Sequence, residues 1–294
     1  MVDVTFSVTA STTEVNMEIE TLIQGHGDEI TGLAASGDHF ITCGLDKTII
    51  MWDGVAHKAK WIETVRSPLT CIAMSQDGTK FAAGSQDGHL YYTDVEERSL
   101  VRLKFCDDPI ISLAFSPDGQ KLAFGAKDDT IYYFEQAAVN LPDNKEHVTL
   151  TGHSSHVKHL DFANDNLHLR SNSADHELLY WNNQGQENDT KVIDNIPGWS
   201  TQNCTLTFET LGIWPSVADG TDINVSAVHN DILGVGDDFG RVKLYKYPTI
   251  QADADCIELL GHADHVKNVT FTGNANIVSS GGLEGSLLQW TQQQ

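Results

Sequence analysis

One short pattern recurs along this chain: an acid, two turn residues, and a strand that alternates β-branched, aromatic and polar residues. It reads GLDKTIIMWD at Gly44–Asp53, SQDGHLYYTD at Ser85–Asp94 and AKDDTIYYFE at Ala126–Glu135. It returns as SADHELLYWN at Ser173–Asn182, GDDFGRVKLYKY at Gly236–Tyr247 and GLEGSLLQWT at Gly282–Thr291. The acids are Asp46, Asp87, Asp128, Asp175, Asp238 and Glu284, spaced by 41, 41, 47, 63 and 46 residues. A period of ~40 residues built of short strands and tight turns marks stacked blades, each too small to bury its own faces alone. The expected fold class is therefore all-β: a β-propeller with six recognisable repeats, with a seventh, irregular blade left open.

Three repeats carry further residues. Gly-His pairs end in His26, His153 and His262, and the matching strands hold Trp52, Trp181 and Trp290. A hydroxyl stands four residues before each of their acids, at Thr42, Ser171 and Ser280, with acids Asp46, Asp175 and Glu284. The other repeats lack the Gly-His pair and the tryptophan, and hold Ala83, Phe124 and Gly234 at the hydroxyl position. Carboxylate, imidazole, hydroxyl and indole N–H can form one buried chain of hydrogen bonds. A partly satisfied buried network is worse than none, so its members should be kept or lost together. The pattern resembles the structural tetrad of WD-repeat propellers, and it assigns these residues to structure rather than catalysis.

Charge and composition narrow the function. The 294 residues are 40% hydrophobic and 20% charged, an ordinary globular balance. Lysine and arginine number 18 against 41 aspartates and glutamates, a formal charge of −23. Such a chain has no basic footprint for nucleic acid, and an anionic membrane surface would repel it. Five cysteines are scattered without a C-x-x-C pair, which suggests neither a disulfide framework nor a zinc site. The N-terminus has no basic region or apolar core of a secretory signal, so a cytoplasmic chain is expected. Phosphate-binding, nucleophile-elbow and dinucleotide-binding motifs are missing, so no enzyme and no cofactor is expected. The H-x-x-H words at His153–His156 and His262–His265 enter strands from loops, and read as structure rather than metal ligands. Asp219-Gly220-Thr221-Asp222 lacks the spacing of a calcium loop and reads as a turn.

The whole chain, 1–294, is expected to be one propeller domain: an N-terminal segment over 1–19 and repeats over 20–294. Residues Glu20–Gln24 are the natural donor of a last outer strand, while the place of Val4–Val8 is open. The long Asp175–Asp238 interval places an insertion at about 182–220. It contains Trp199 and Trp214, which could anchor a partner or pack on their own blade. His156, His265, Asp107 and Asp108, with these two tryptophans, are the candidate partner surface.

Several longer words are more specific: QGHGDEITGLA (Gln24–Ala34), SPDGQKLAFGAKDDTIYYF (Ser116–Phe134), LRSNSADHELLYW (Leu169–Trp181), GIWPSVADGTDIN (Gly212–Asn224) and GDDFGRVKLYKYP (Gly236–Pro248). In this order they resemble the second propeller of the echinoderm microtubule-associated protein-like family, over about residues 20–293. The resemblance implies a microtubule-associated, cytoskeletal scaffold whose partners are tubulin, microtubules or an adjacent propeller. Family members carry two propellers in tandem and often an N-terminal coiled coil with a basic stretch. This sequence shows one propeller, no heptads and no basic tract, and reads as an excised half or a shortened relative. The rival reading is a WD-repeat adaptor in signalling or flagellar assembly with no tubulin contact.

Overall fold

The computed structural model describes residues 25–135, 147–214, 222–273 and 276–291. Six antiparallel sheets follow one another along the chain. The first is β1 (Ile30–Ser36), β2 (His39–Gly44), β3 (Thr48–Asp53) and β4 (Lys58–Thr64); the second is β5 (Leu69–Met74), β6 (Lys80–Ser85), β7 (His89–Asp94) and β8 (Val101–Lys104). The third is β9 (Ile110–Phe115), β10 (Lys121–Ala126), β11 (Thr130–Glu135) and β12 (His147–Thr151); the fourth is β13 (Val157–Phe162), β14 (Leu169–Ser173), β15 (Leu178–Asn182) and β16 (Gly185–Glu187). The fifth is β17 (Ile223–His229), β18 (Ile232–Asp237), β19 (Arg241–Lys246) and β20 (Ile257–Leu260). The sixth has three strands among the described residues: β21 (Val266–Phe271), β22 (Ile277–Gly281) and β23 (Leu287–Trp290).

Burial follows from each strand's place in its blade. The second strands are sandwiched between neighbouring blades and are buried on both faces, so β2, β6 and β10 read as near-continuous small or apolar runs. The outer strand β4 alternates exposed and half-buried residues, as a strand with one wet face must. Apolar clusters lie between blades rather than in one central core: Ile41, Ile49 and Met51 of the first blade pack with Ile72 and Phe81 of the second. Val278 of the sixth blade packs with Phe40 and Trp52 of the first.

All six inner strands share a bulge after their first residue. The unpaired residues are Thr31, Thr70, Ile111, Lys158, Asn224 and Lys267. A bulge kinks a strand and re-aims one side chain. Here most of the side chains reach the start of the next blade. Thr31 Oγ1 donates to the Leu69 carbonyl at 2.8 Å, Thr70 Oγ1 to the Ile110 carbonyl, and Asn224 Nδ2 to the Val266 carbonyl at 3.3 Å. Lys158 meets Asp222 at 3.4 Å. Lys267 donates to Glu29 at 2.8 Å, and the Gly273 amide donates to the Gly37 carbonyl at 2.6 Å, so the sixth blade is joined to the first. The inner strands surround a central cavity of about 880 Å³.

Between the fourth and fifth blades the ring is opened by the insertion. Asn203 Nδ2 donates to the Leu160 carbonyl and Ser200 Oγ to the Phe162 carbonyl, both on β13. On the other side Ser226 Oγ of β17 donates to the Gln202 carbonyl at 2.7 Å. Residues 200–204 thus stand as a wedge where two inner strands would otherwise meet. The rest of the insertion forms the short helix α1 (Thr190–Ile193) and a 3₁₀ turn over Phe208–Ile213. No seventh sheet is found among the described residues. The expected strand donor Glu20–Gln24, Val4–Val8 and most of the Asp219–Asp222 turn lie outside them.

Candidate functional site

In the first blade, β2 and β3 hold Thr42 and Trp52 on one face, two ladder positions apart. Trp52 Nε1 donates to Thr42 Oγ1 at 2.8 Å, and Thr42 lies 2.8 Å from His26 Nε2. His26 Nδ1 lies 3.0 Å from Asp46. Only one tautomer satisfies every partner: indole to hydroxyl, hydroxyl to Nε2, and Nδ1–H to carboxylate.

The fourth and sixth blades build the same chain, each with one substitution. In the fourth, Trp181 donates to Ser171 at 2.7 Å and Ser171 meets His153 Nε2 at 2.5 Å. The acid against His153 Nδ1 is Glu177 at 3.0 Å, not the expected Asp175, which accepts from the Ser154 hydroxyl at 3.0 Å. The turn between β14 and β15 positions the longer glutamate under the imidazole. In the sixth, His262 Nδ1 lies 2.6 Å from Glu284, but Trp290 and His262 Nε2 converge on Ser279, at 2.8 and 2.7 Å. Ser280, the expected hydroxyl, accepts from Asn268 Nδ2 at 2.9 Å. Cross-strand pairing explains the shift. Trp52 pairs with Phe40, Trp181 with Leu169 and Trp290 with Ile277, and the hydroxyl lies two residues beyond that partner, on the same face.

Two of these imidazoles, His26 and His153, are held neutral. Burial pushes the His26 and His153 pKa values down, against the pull of Asp46 and Glu177. The Ser154 amide, with His153 behind it, lowers Glu177 to about 2. Burial would raise Asp46, but hydrogen bonds from Thr48, Gly27 and His26 outweigh it and hold the carboxyl low. A neutral imidazole with both nitrogens engaged has no lone pair to offer a substrate, so the arrangement braces loops rather than moving protons. Blades without the histidine engage their acid otherwise. Asp87 accepts from Ser67 and Ser85 at 2.6 Å each, and Asp128 from the Tyr132 hydroxyl at 2.7 Å.

The candidate partner residues do not form one patch. Asp107 and Asp108 are exposed on the loop before β9, where Lys104 pairs with Asp107 at 3.1 Å. His156 and His265 are half-buried on the corresponding loops of other blades, with His265 Nδ1 3.0 Å from Asp264. Trp199 and Trp214 are half-buried against their own chain. Trp199 packs on Tyr180, with the Arg170 guanidinium 4.4 Å from its ring centre, and Trp214 Nε1 donates to the Thr205 carbonyl at 3.1 Å. Among the described residues, no group of three or more His, Cys, Asp or Glu is placed to hold a metal ion.

Sequence reasoning missed the polar hub that holds the insertion. Arg170 on β14 is buried and donates to Asp161 at 3.0 Å, Gln202 at 2.8 Å and Glu209 at 3.2 Å. Asp161 is also buried and accepts from Thr201 Oγ1 and from the amides of Asn203 and Cys204. The signal was a charge at a buried position in each of two strands, Arg170 in LRSNS and Asp161 in VKHLDF, where neighbouring blades carry apolar residues.

Comparison with known proteins places this architecture. The model of the echinoderm microtubule-associated protein second beta-propeller matches residues 30–292. The chain belongs to the echinoderm microtubule-associated protein family. Echinoderm microtubule-associated protein-like 4 of Mus musculus is 37% identical over 278 residues, covering 91% of this chain and 28% of that protein. The 77 kDa echinoderm microtubule-associated protein of Strongylocentrotus purpuratus is 34% identical over 284 residues, covering 93% of this chain and 41% of that protein. The chain thus spans less than half the length of these relatives. A chain in a crystal structure of the mitotic checkpoint complex superposes with a TM-score of 0.70 at 13% identity, covering 99% of each chain, a likeness of fold. In this family propeller the tryptophan networks brace the blades, and the insertion is wedged between two of them.

Proposed function

We propose that this propeller is a non-catalytic protein-interaction scaffold that contacts tubulin or microtubule-linked proteins in the cytoplasm. The family match over 30–292 carries the reading, because the relatives are named as microtubule-associated proteins. The saturated histidines support a scaffold over an enzyme, since the networks built around His26, His153 and His262 use both ring nitrogens. The formal charge of −23 disfavours nucleic acid and anionic membranes as partners. An adjacent propeller is a further partner consistent with relatives longer than this chain.

Co-sedimentation of the purified chain with microtubules, and gel filtration with soluble tubulin, test the reading. Weak but saturable association with at least one is expected. No association with either, at concentrations where the mouse relative pellets, would instead favour an adaptor without tubulin contact.

A further inference from the structure

The turn between the second and third strands of each blade carries an acid, and the residue after it is polar or glycine in five blades: Lys47, Gly88, Asp129, His176 and Gly285. In the fifth blade it is Phe239, which is 55% exposed. More than half of that residue is open to solvent, and the Arg241 guanidinium lies 5.8 Å from its ring centre. Two more large apolar side chains stand in the open nearby, Leu260 at 71% and Leu283 at 77% exposure.

The three are gathered by backbone contact around one loop, Gly261–His265. A Cβ on Gly240, next to Phe239, would sit 2.7 Å from the His262 carbonyl and 2.9 Å from that of Asp264. The Leu283 amide lies 3.3 Å from Asp264 Oδ2, and the Gly282 amide donates to the His265 carbonyl at 2.9 Å. Leu260 is the ladder partner of Arg241. The fifth and sixth blades therefore present three exposed apolar residues around their seam, where the turns and loop also carry the acids Asp238, Asp264 and Glu284. The nearby cations are engaged: Arg241 lies against Phe239 and Glu258, and Lys267 on Glu29.

We infer that this seam is a docking site for a partner segment bearing an aromatic or aliphatic side chain flanked by lysine or arginine. Exposed apolar residues inside a polar rim have the form of an interface hot spot. The sign of the rim selects the partner. A second copy of this chain would bring Asp264 and Glu284 against like charges on a molecule of −23, and an anionic lipid surface meets the same repulsion. A basic segment is drawn in and then held by burial of its apolar residue. The inference does not depend on tubulin being the partner.

The test is selection of random short peptides displayed on phage against the immobilised full chain. Enriched sequences should carry an aromatic or aliphatic residue beside Lys or Arg. A synthetic copy of the best peptide should lose at least about tenfold in affinity to the Phe239→Ser, Leu283→Ser double variant, and weaken as salt rises. It should bind unchanged to Phe208→Ser, Leu211→Ser, a control on two residues 67% and 50% exposed on the 3₁₀ turn, which bonds to Thr249 beyond the other end of β19. Peptides without basic residues, no enrichment at all, or equal loss in both variants would each overturn the assignment.

Discussion

Trp52, Thr42, His26 and Asp46 form a line of hydrogen bonds that starts at the indole N–H and ends on the Asp46 carboxylate, each link depending on the one before. Trp52→Phe keeps the aromatic ring against Phe40 but takes the indole donor away from the buried Thr42 hydroxyl, which keeps its bond to His26. The expected loss is about 1–3 kcal/mol. Thr93→Ala, at the matching position of a blade without the network, should cost less, and equal shifts in chemical denaturation would argue against a cooperative chain. The same links set a pH dependence. His26 and His153 have folded pKa values below the ordinary 6.5, and Glu177 is lowered from 4.5 to about 2. Both kinds of depression act in one direction: their stabilisation is complete above pH 6.5. The histidine part fades as pH falls below that value, and the Glu177 part fades between 4.5 and about 2. Denaturation midpoints should therefore fall below pH 6.5, and Glu177→Gln should flatten the acid limb more than Asp175→Asn does. The tryptophans and histidines of this line were legible in the sequence because each is a rare residue at a repeated distance. The exact acid and hydroxyl were not. Counting back from the acid assumes turns of equal length, whereas strand pairing fixes Ser279 and turn geometry selects Glu177.

Single elements carry the ring's irregularities. Arg170 joins β14 to the insertion through Asp161, Gln202 and Glu209. Removing one member of a buried ion pair leaves the other charge uncompensated, so Arg170→Ala should destabilise by about 3–5 kcal/mol. Arg170→Met, in an Asp161→Asn background, should recover part of that, and loss of the Trp199 near-ultraviolet signal would report the insertion letting go. A recovery no better than either single change would mean that the pair is not the hold. The insertion's existence could be read from one long spacing, yet its role could not, since wedging depends on which backbone groups β13 and β17 leave free. The bulges escaped notice for a related reason: Thr, Ile, Lys and Asn share no chemistry, only a ladder position. Closure of the sixth blade is an expectation of the same kind. Outer strands β4, β8, β12 and β20 end five or six positions before the next inner strand. The sequence expectation that Glu20–Gln24 supplies the outer strand of the sixth blade can be tested directly. Deleting residues 1–24 should lower the melting temperature and speed amide exchange along β23, and unchanged exchange there would rule out Glu20–Gln24 as its partner.

At the scale of the whole molecule, charge constrains the proposed approach to a microtubule. The chain carries −23, and exposed acids such as Asp107, Asp108 and Asp238 stand on the loops and turns that lead into the strands. Tubulin's tails are acidic as well, so long-range steering toward them is repulsive. Any productive contact must then come from the folded tubulin body, through short-range burial or a locally basic surface. Two consequences separate this from tail binding. Proteolytic removal of the tubulin tails should leave the affinity of the chain unchanged or raise it. Raising ionic strength should also shorten the reach of the net repulsion, over a Debye length of ~8–10 Å near physiological salt, and so speed encounter. Association and dissociation rates measured on intact and tail-stripped microtubules, at low and moderate salt, check both. Binding that is tight at low salt and vanishes with the tails would require a cationic surface on a molecule of charge −23, and would refute the charge argument.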